Sequence, residues 1–149
     1  WHCWSDNIGS EKTAKKNGFQ ITNEHNVLHF VFNKFDNCIY KSWKYDSYYN
    51  DLDLAISEYE KAYNMIMDDY DFCLKSPHNS YIGVKNLSHY LYNYACLLSR
   101  NGDVDRALEI LEKAIDDGWK NFKHMRTDSD LVNLRDEGKL NRLISKKTK

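Results

Sequence analysis

Proline is almost absent from this sequence: a single residue, Pro77, occurs in 149. Because proline interrupts the hydrogen bonding of helices, its scarcity permits long helices on both sides of that position. Long apolar runs are also absent, which excludes a transmembrane helix of ordinary length. The chain does not begin with a basic stretch followed by an apolar run, the pattern of a signal peptide. We therefore expect a cytoplasmic protein; a signal cleaved upstream of Trp1 is the open alternative.

Paired cysteines are missing as well. The four cysteines, Cys3, Cys38, Cys73 and Cys96, never occur as Cys-x-x-Cys, so neither a zinc knuckle nor a redox dithiol is indicated. Three of them fall on apolar faces of expected helices, which favours free thiols in a reducing compartment. The sequence also has no glycine-rich phosphate loop, no Gly-x-Ser-x-Gly motif and no Cys-His nucleophile arrangement. We therefore expect a protein that is not an enzyme and holds no cofactor.

Histidine and carboxylate residues give little indication of a metal site. His25 and His29 lie four residues apart, a spacing that places two ligands on one face of a helix. The residue between them is not the glutamate that a His-Glu-x-x-His metalloprotease uses as its general base. A second set, His124 with Asp128 and Asp130, is no stronger. We expect no metal ion.

The charged residues nearly cancel, with a net charge of −1 at pH 7, so the chain as a whole does not favour nucleic-acid binding. The distribution is uneven, because residues 1–75 contain 8 lysines and 12 acidic residues, a net charge of −4. The last eleven residues, Lys139 to Lys149, contain five bases and no acid. This tail is typical of a frayed helix end with favourable cations at its C-terminus. A tail that binds nucleic acid or an anionic membrane is the alternative.

Apolar residues recur at helical spacing along most of the chain, and no stretch carries a competing strand pattern. The fold class expected is therefore all-α. Long helices are predicted at 26–45, 52–74, 86–100 and 104–117, with a connection that contains Pro77 at 75–85. Shorter helices are predicted to carry Trp119, Phe122, Met125, Leu131, Leu134, Leu140, Leu143 and Ile144.

The clearest stretch, residues 90–115, predicts a helical hairpin. Its turn is Asn101-Gly102, and Asp103 is the expected cap of the second helix. Gly118 is the expected residue after that helix, where glycine accepts a left-handed backbone. Asp128 or Ser129 is expected to cap a short helix further along.

The second helix of each predicted pair carries the same small–large–small pattern, which allows two helix backbones to approach closely. The pattern is Ala55, Tyr59 and Ala62 in one pair and Ala107, Leu111 and Ala114 in the other. It resembles the tetratricopeptide repeat, whose register is also fitted here by Leu91, Tyr94, Ala95, Leu98 and Gly102. Leu91 stands where the family usually has an aromatic residue, and the proline usual after the second helix is absent. The resemblance is good over residues 88–118. It is weaker over 36–63, where Trp43 stands at a position that is usually small.

Residues 118–144 resemble the C-terminal closing segment of many bacterial tetratricopeptide proteins, with its Asp-x-Asp-Leu-x-x-Leu-Arg run. The matching residues are Asp128, Asp130, Leu131, Leu134 and Arg135. A stack of hairpins needs such a segment because its last hairpin otherwise leaves an apolar face in water. The resemblance implies antiparallel helical hairpins, stacked as a short tetratricopeptide-like solenoid with C-terminal capping helices.

These patterns divide the chain into two parts. Residues 1–23 form a segment of uncertain structure in which Ser10 starts a short helix that ends at Gly18. Residues 24–149 form a helical-repeat domain. Within it we expect an irregular first pair at 24–75, a loop at 76–85, a well-matched repeat at 86–118 and a cap at 119–149.

In the tetratricopeptide family, the first helices of the pairs line a concave face that binds extended peptides. Lysine, arginine and tyrosine on these helices suit an acidic peptide or a C-terminal carboxylate. An ordinary polar helix face is the alternative. The partner-binding set implied by the resemblance is Tyr40, Lys41, Lys44, Tyr48, His89, Tyr92, Asn93 and Arg100, with Asn37 and Cys96 on the same faces.

The leading hypothesis is a non-enzymatic, bacterial-type module that binds a protein or peptide, with no nucleic-acid or membrane partner. One alternative is a dedicated inhibitor or immunity protein that masks a basic toxin or nuclease, and the charge of −4 on residues 1–75 motivates it. Another is a regulatory domain of a longer chain. An enzyme with an unrecognised site is a third.

Overall fold

The computed structural model of the protein describes residues 8–20, 34–68 and 86–147. Every regular element in these ranges is helical, so the fold is all-α, as the sequence predicts. The predicted His25 and His29 pair and the connection at 75–85 lie outside the described residues, as do the first part of helix 26–45 and the end of helix 52–74. No helix within the described ranges is long and apolar enough to cross a bilayer.

The chain divides into two units, residues 1–30 and 31–149. In the first unit, helix α1 spans Ile8–Lys16 and so begins before the predicted start at Ser10. Gly18 follows it with a φ of +83°, the left-handed conformation expected of glycine after a helix.

Two helical hairpins form the main part of the second unit. Helix α2 (Lys34–Ser47) is joined by a short connection to α3 (Leu52–Asp68), and the two pack as an antiparallel pair. Helix α4 (Leu87–Arg100) and helix α5 (Val104–Asp116) form the second pair. The hairpins meet where α3 packs on α4.

Side-chain caps fix the beginnings of the second helices in both hairpins. The carboxylate of Asp51 accepts a hydrogen bond from the backbone N–H of Leu54 at 2.9 Å. The carboxylate of Asp103 accepts one from the N–H of Arg106 at 3.3 Å, as predicted. Gly118 follows α5 with a φ of +110°, which also agrees with the prediction. Aspartate before a helix and glycine after it therefore set these bounds.

The small–large–small residues of α3 and α5 are all buried, as close helix packing requires. Between the hairpins, the rings of Tyr59 and Tyr90 stack with their centroids 4.6 Å apart. The Tyr90 hydroxyl donates to the Tyr59 carbonyl at 2.6 Å, and the Tyr59 hydroxyl donates to the Tyr90 carbonyl at 3.3 Å. Tyr94 extends the stack, with its ring 5.3 Å from that of Tyr59. Tyrosines thus join one hairpin to the next.

The C-terminal segment covers the second hairpin. It consists of α6 (Phe122–Thr127), a single 3₁₀ turn (Ser129–Leu131), α7 (Val132–Asp136) and α8 (Lys139–Lys147). The 3₁₀ turn and α7 pack on α4, and α8 packs on α5. Its buried apolar side chains are Met125, Leu131, Leu134, Leu140, Leu143 and Ile144.

The basic residues of the C-terminal tail pair with the acidic outer face of α5. Lys139 Nζ lies 2.6 Å from Asp105 Oδ1. Lys147 Nζ lies 3.0 Å from Glu112 Oε1 and 2.5 Å from Asp116 Oδ1. Helix α8 continues to Lys147. Pairing with α5 gives these lysines a structural role.

Candidate functional site

The first helices of the two hairpins, α2 and α4, line a groove of about 280 Å³, and Tyr59 of α3, α6 and the residues that follow α6 complete the lining. Ile39, Tyr59 and Leu97 contribute apolar atoms to it. Its polar and aromatic side chains are Ser42, Trp43, Asp46, Tyr92, Asn93, Cys96, Arg100, His124, Asp128 and Asp130. A shallower depression along α8 is lined by residues of that helix, so no second element among the described residues closes it.

An ion pair joins α2 to α4 at one end of the groove. The guanidinium of Arg100 donates two hydrogen bonds to the carboxylate of Asp46, at 2.9 and 2.7 Å. Hydrogen bonding to Asp46 raises the pKa of Arg100, so the guanidinium stays charged. Its Nε lies 3.9 Å from Oδ1 of Asp130. A two-pronged pair of this kind is stronger and more directional than a single charged contact.

Asp128 connects the closing segment to α4. One of its carboxylate oxygens caps the 3₁₀ turn by accepting the N–H of Asp130 at 3.0 Å. The other accepts the Tyr92 hydroxyl at 2.5 Å and lies 3.2 Å from Nε2 of His124. The backbone carbonyl of Asp128 accepts a hydrogen bond from the guanidinium of Arg135. The hydrogen bonds of Asp128 therefore hold the closing segment against α4 and place carboxylates at the groove.

Protonation keeps two groove side chains neutral. Burial raises the pKa of Tyr92, and its hydrogen bond to Asp128 raises it further, so the hydroxyl remains a donor. Burial likewise raises the pKa of Cys96, and the carboxylates of Asp128 and Asp130 act in the same direction. Because the thiolate is the nucleophilic form, a thiol in this environment is a poor nucleophile.

Trp43 provides an exposed aromatic surface beside these polar groups. Its side chain is 47% exposed, a large fraction for a tryptophan on a packed helix. The ring of Tyr48 meets it edge-on at 5.3 Å, and the ring of Tyr40 lies 5.9 Å away. Lys44 Nζ lies 5.5 Å from the centre of the Tyr40 ring. The α2 side of the groove therefore has an aromatic rim.

Within residues 8–20, 34–68 and 86–147, no three His, Cys, Asp or Glu side chains are grouped so that they could hold a metal ion. His124 and Asp128 do come together, but the nearer carboxylate oxygen also accepts the Tyr92 hydroxyl. The arrangement instead offers hydrogen-bond acceptors, one exposed indole ring and an amide at Asn93. Such a set can bind cationic and hydrogen-bonding groups of a ligand.

The predicted partner-binding residues fall in different places. Tyr92, Asn93 and Arg100, together with Cys96, line the groove from α4. His89, also on α4, is half-buried and stacks on Trp119 with ring centroids 5.7 Å apart. The predicted residues on α2, together with Tyr48 directly after it, are not part of the lining. Of these, Lys41 and Tyr48 are exposed, and Asn37, Tyr40 and Lys44 are partly buried.

The length of one connection explains the difference on α2. Four residues separate Ser47 from Leu52 in the first hairpin, whereas three separate Arg100 from Val104 in the second. One additional residue rotates a helix position by about 100°. When α2 is aligned with α4 from their C-terminal ends, Ile39 and Trp43 take the places of Tyr92 and Cys96. Both of these α2 residues line the groove.

Nine lining residues were not in the predicted set. Four of them are buried: Ile39, Ser42, Tyr59 and Leu97. The other five are Trp43 and Asp46 on α2, His124 on α6, and Asp128 and Asp130 after it. In the sequence, Trp43 is a large residue at a position that is usually occupied by a small one. The longer connection after α2 is the signal that places Trp43 in the groove. The sequence places Asp128 and Asp130 in the closing segment, and no linear pattern shows that this segment brings them to α4.

Comparisons with known proteins add one local similarity. No family model matches the chain, and no solved structure matches it. A stretch of 44 residues, 30% of the chain, is 43% identical to a chloroplastic protein of Arabidopsis thaliana. The stretch covers 13% of that plant protein, so the similarity concerns a small part of it.

Proposed function

We propose that this chain is a protein-interaction module of tetratricopeptide-like hairpins, which binds an extended segment of another protein in the groove. The groove itself carries the proposal. Side chains from both first helices line it, and it combines the exposed ring of Trp43 with polar groups of α4 and the closing segment. Tryptophan is enriched among the few residues that supply most of the energy at binding surfaces.

The packing of the hairpins supports the tetratricopeptide-like part of the proposal. Both second helices bury their small–large–small residues, and the first helices remain available to line the groove. The closing segment buries its own leucines against the second hairpin and so ends the stack. Asn93 lies partly exposed in the groove, where its side-chain amide can pair with the backbone of an extended peptide.

Replacing Trp43 and Asn93 together by alanine should weaken partner capture from a lysate of the native host by at least about tenfold, because an aromatic hot spot contributes on the order of 2 kcal/mol. Trp43 is exposed, so its removal should change the melting temperature little, whereas loss of the hydrogen bond between Asn93 and the buried Tyr59 hydroxyl should lower it modestly. The captured proteins are to be quantified by mass spectrometry. Glu109→Gln, on the outer face of α5, is the matched control, since its pair with Lys113 is exposed. Equal capture by the double variant and the wild type would show that the groove is not the binding surface.

A dedicated inhibitor that masks a basic protein is the second candidate. The observation in its favour is the presence of three aspartates in the groove, at positions 46, 128 and 130. An inhibitor would capture a single partner, tightly and with strong dependence on salt. A general adaptor would instead capture several partners weakly, so the number of captured proteins in the same experiment distinguishes the two.

A further inference from the structure

The groove contains more negative than positive charge. Asp46, Asp128 and Asp130 line it together with the guanidinium of Arg100. Asp46 is satisfied by the two hydrogen bonds from Arg100, and Asp128 by those from Tyr92 and the 3₁₀ turn. Within the part of the chain that the structure describes, the third carboxylate has no cation at hydrogen-bond distance.

That carboxylate belongs to Asp130. Its side chain is 42% exposed, and its contact with Arg100 is 3.9 Å long, beyond hydrogen-bond distance. Burial raises the pKa of Asp130, and the carboxylates of Asp128 and Asp46 add to this against the opposite effect of Arg100. A cation placed near Asp130 would therefore offset the burial of this carboxylate and its repulsion by Asp128 and Asp46.

The expectation of an acidic partner rested on lysines of α2. These lysines do not repel a cation from within the groove. Lys41 and Lys44 are not among its lining residues. Arg100 is occupied by Asp46, so little of its charge is available to an incoming carboxylate. An acidic peptide would face the three aspartates directly, at an energetic cost.

We propose that the groove takes the side chain of an arginine or lysine from an extended peptide, with its charge at Asp130 and its methylene groups against Trp43. This inference rests on the proposed function and names its partner as a basic segment. Arg100 shows that these carboxylates accept a guanidinium, since one already lies between Asp46 and Asp130. The indole of Trp43 adds an aromatic face, which attracts cations as well as apolar stems.

The test uses two blocked heptapeptides, Ac-Ala-Arg-Ala-Arg-Ala-Arg-Ala-NH2 and the same peptide with glutamate in place of arginine. Binding to the full chain is followed by calorimetry and by amide chemical shifts in NMR. The arginine peptide should shift the signals of Trp43, Cys96 and Asp130, and its affinity should fall as salt is added. Asp130→Asn should weaken its binding about fivefold, whereas Glu109→Gln, which removes the same charge elsewhere, should not.

The possible outcomes separate this inference from the proposed function. Binding of the glutamate peptide in the groove, in preference to the arginine peptide, would overturn the proposal of a basic partner. The proposal that the groove binds peptides would still stand. Failure of both peptides to shift groove signals would overturn the inference, and the capture experiment with the Trp43 and Asn93 variant would then decide on the groove. Unchanged affinity in Asp130→Asn, with an unchanged melting temperature, would also overturn it. The chemical-shift changes are measured in the wild-type protein, so this part of the test does not depend on how well Asp130→Asn folds.

Discussion

Replacement of Tyr90 by alanine should lower the free energy of unfolding by about 4 kcal/mol, the range seen when a large aromatic side chain is removed from a core. The side chain is fully buried, in contact with both hairpins. Its ring stacks on Tyr59 of α3 at 4.6 Å and lies 5.8 Å from that of Phe35 on α2. Because alanine leaves a cavity between α3 and α4, the contact between the hairpins loses most of its packing.

The milder variant Tyr90→Phe separates the ring from the hydroxyl. Burial raises the pKa of Tyr90 well above its usual value, so the hydroxyl is neutral and donates to the Tyr59 carbonyl at 2.6 Å. Loss of that hydrogen bond should cost about 1 kcal/mol. Urea unfolding followed by circular dichroism measures both variants. Tyr49→Ala is the control, because this tyrosine is 67% exposed and should change stability by less than about 0.5 kcal/mol. A cost for Tyr90→Ala no larger than that of the control would show that the hairpins do not depend on each other.

Leu134→Ala should cost about 3 kcal/mol, because the closing segment buries this side chain completely. Leu134 lies in α7, which packs on α4 and α5. The same short helix offers a matched control in Val132, which is 40% exposed. Val132→Ala should stay within about 0.5 kcal/mol of the wild type.

Chemical unfolding with two probes shows whether the segment and the hairpins form one cooperative unit. In a background in which Trp1, Trp4 and Trp43 are replaced by phenylalanine, the fluorescence of Trp119 reports on the start of the closing segment, since its ring stacks on Tyr92 at 3.9 Å. Far-ultraviolet circular dichroism reports on all helices together. We expect the two transitions to coincide in this background and to move together when Leu134→Ala is added. Separate transitions, with helical signal retained after the fluorescence change, would mean that the hairpins fold without the segment.

The second hairpin was predictable from sequence because its ends are marked by residues with one strong local preference. Asp103 caps a helix through its own carboxylate, and Gly118 adopts a backbone conformation that other residues avoid. Helix capping and the glycine conformation depend on residues close together in the chain, so they can be predicted from the sequence. The small and large residues of α5 add a periodicity that fixes which face is buried.

The α2 half of the groove was not predictable in the same way. Which face a first helix turns toward its neighbours depends on the length of the connection that follows it. The four-residue connection after Ser47 changes that face relative to α4. The positions of Asp128 and Asp130 depend on contacts across the fold, such as the hydrogen bond from Asn133 to the Ser99 carbonyl at 2.6 Å. Contacts of this kind have no signature in local sequence.

Arg100 is a poor choice for a mutation that tests binding, because it is part of the link between α2 and α4. Arg100 belongs to the partner-binding set implied by the resemblance, and charge reversal there would be an obvious test of binding. The structure shows that Arg100 neutralises Asp46, so a carboxylate in its place would face another carboxylate and destabilise the link between α2 and α4. Loss of binding in such a variant would not distinguish a groove contact from a damaged fold. Trp43 and Asp130 are better choices because they are more exposed.

The central claim is that the partner lies in the groove, and site-specific photo-crosslinking tests it most directly. The photoreactive residue p-benzoylphenylalanine replaces Trp43 in one protein and Glu109, on the outer face of α5, in another. After irradiation in a lysate of the native host, position 43 should yield a crosslinked partner that position 109 does not, and the crosslinked peptide should contain arginine or lysine. Equal crosslinking from both positions, or a partner crosslinked from position 109 alone, would contradict the account.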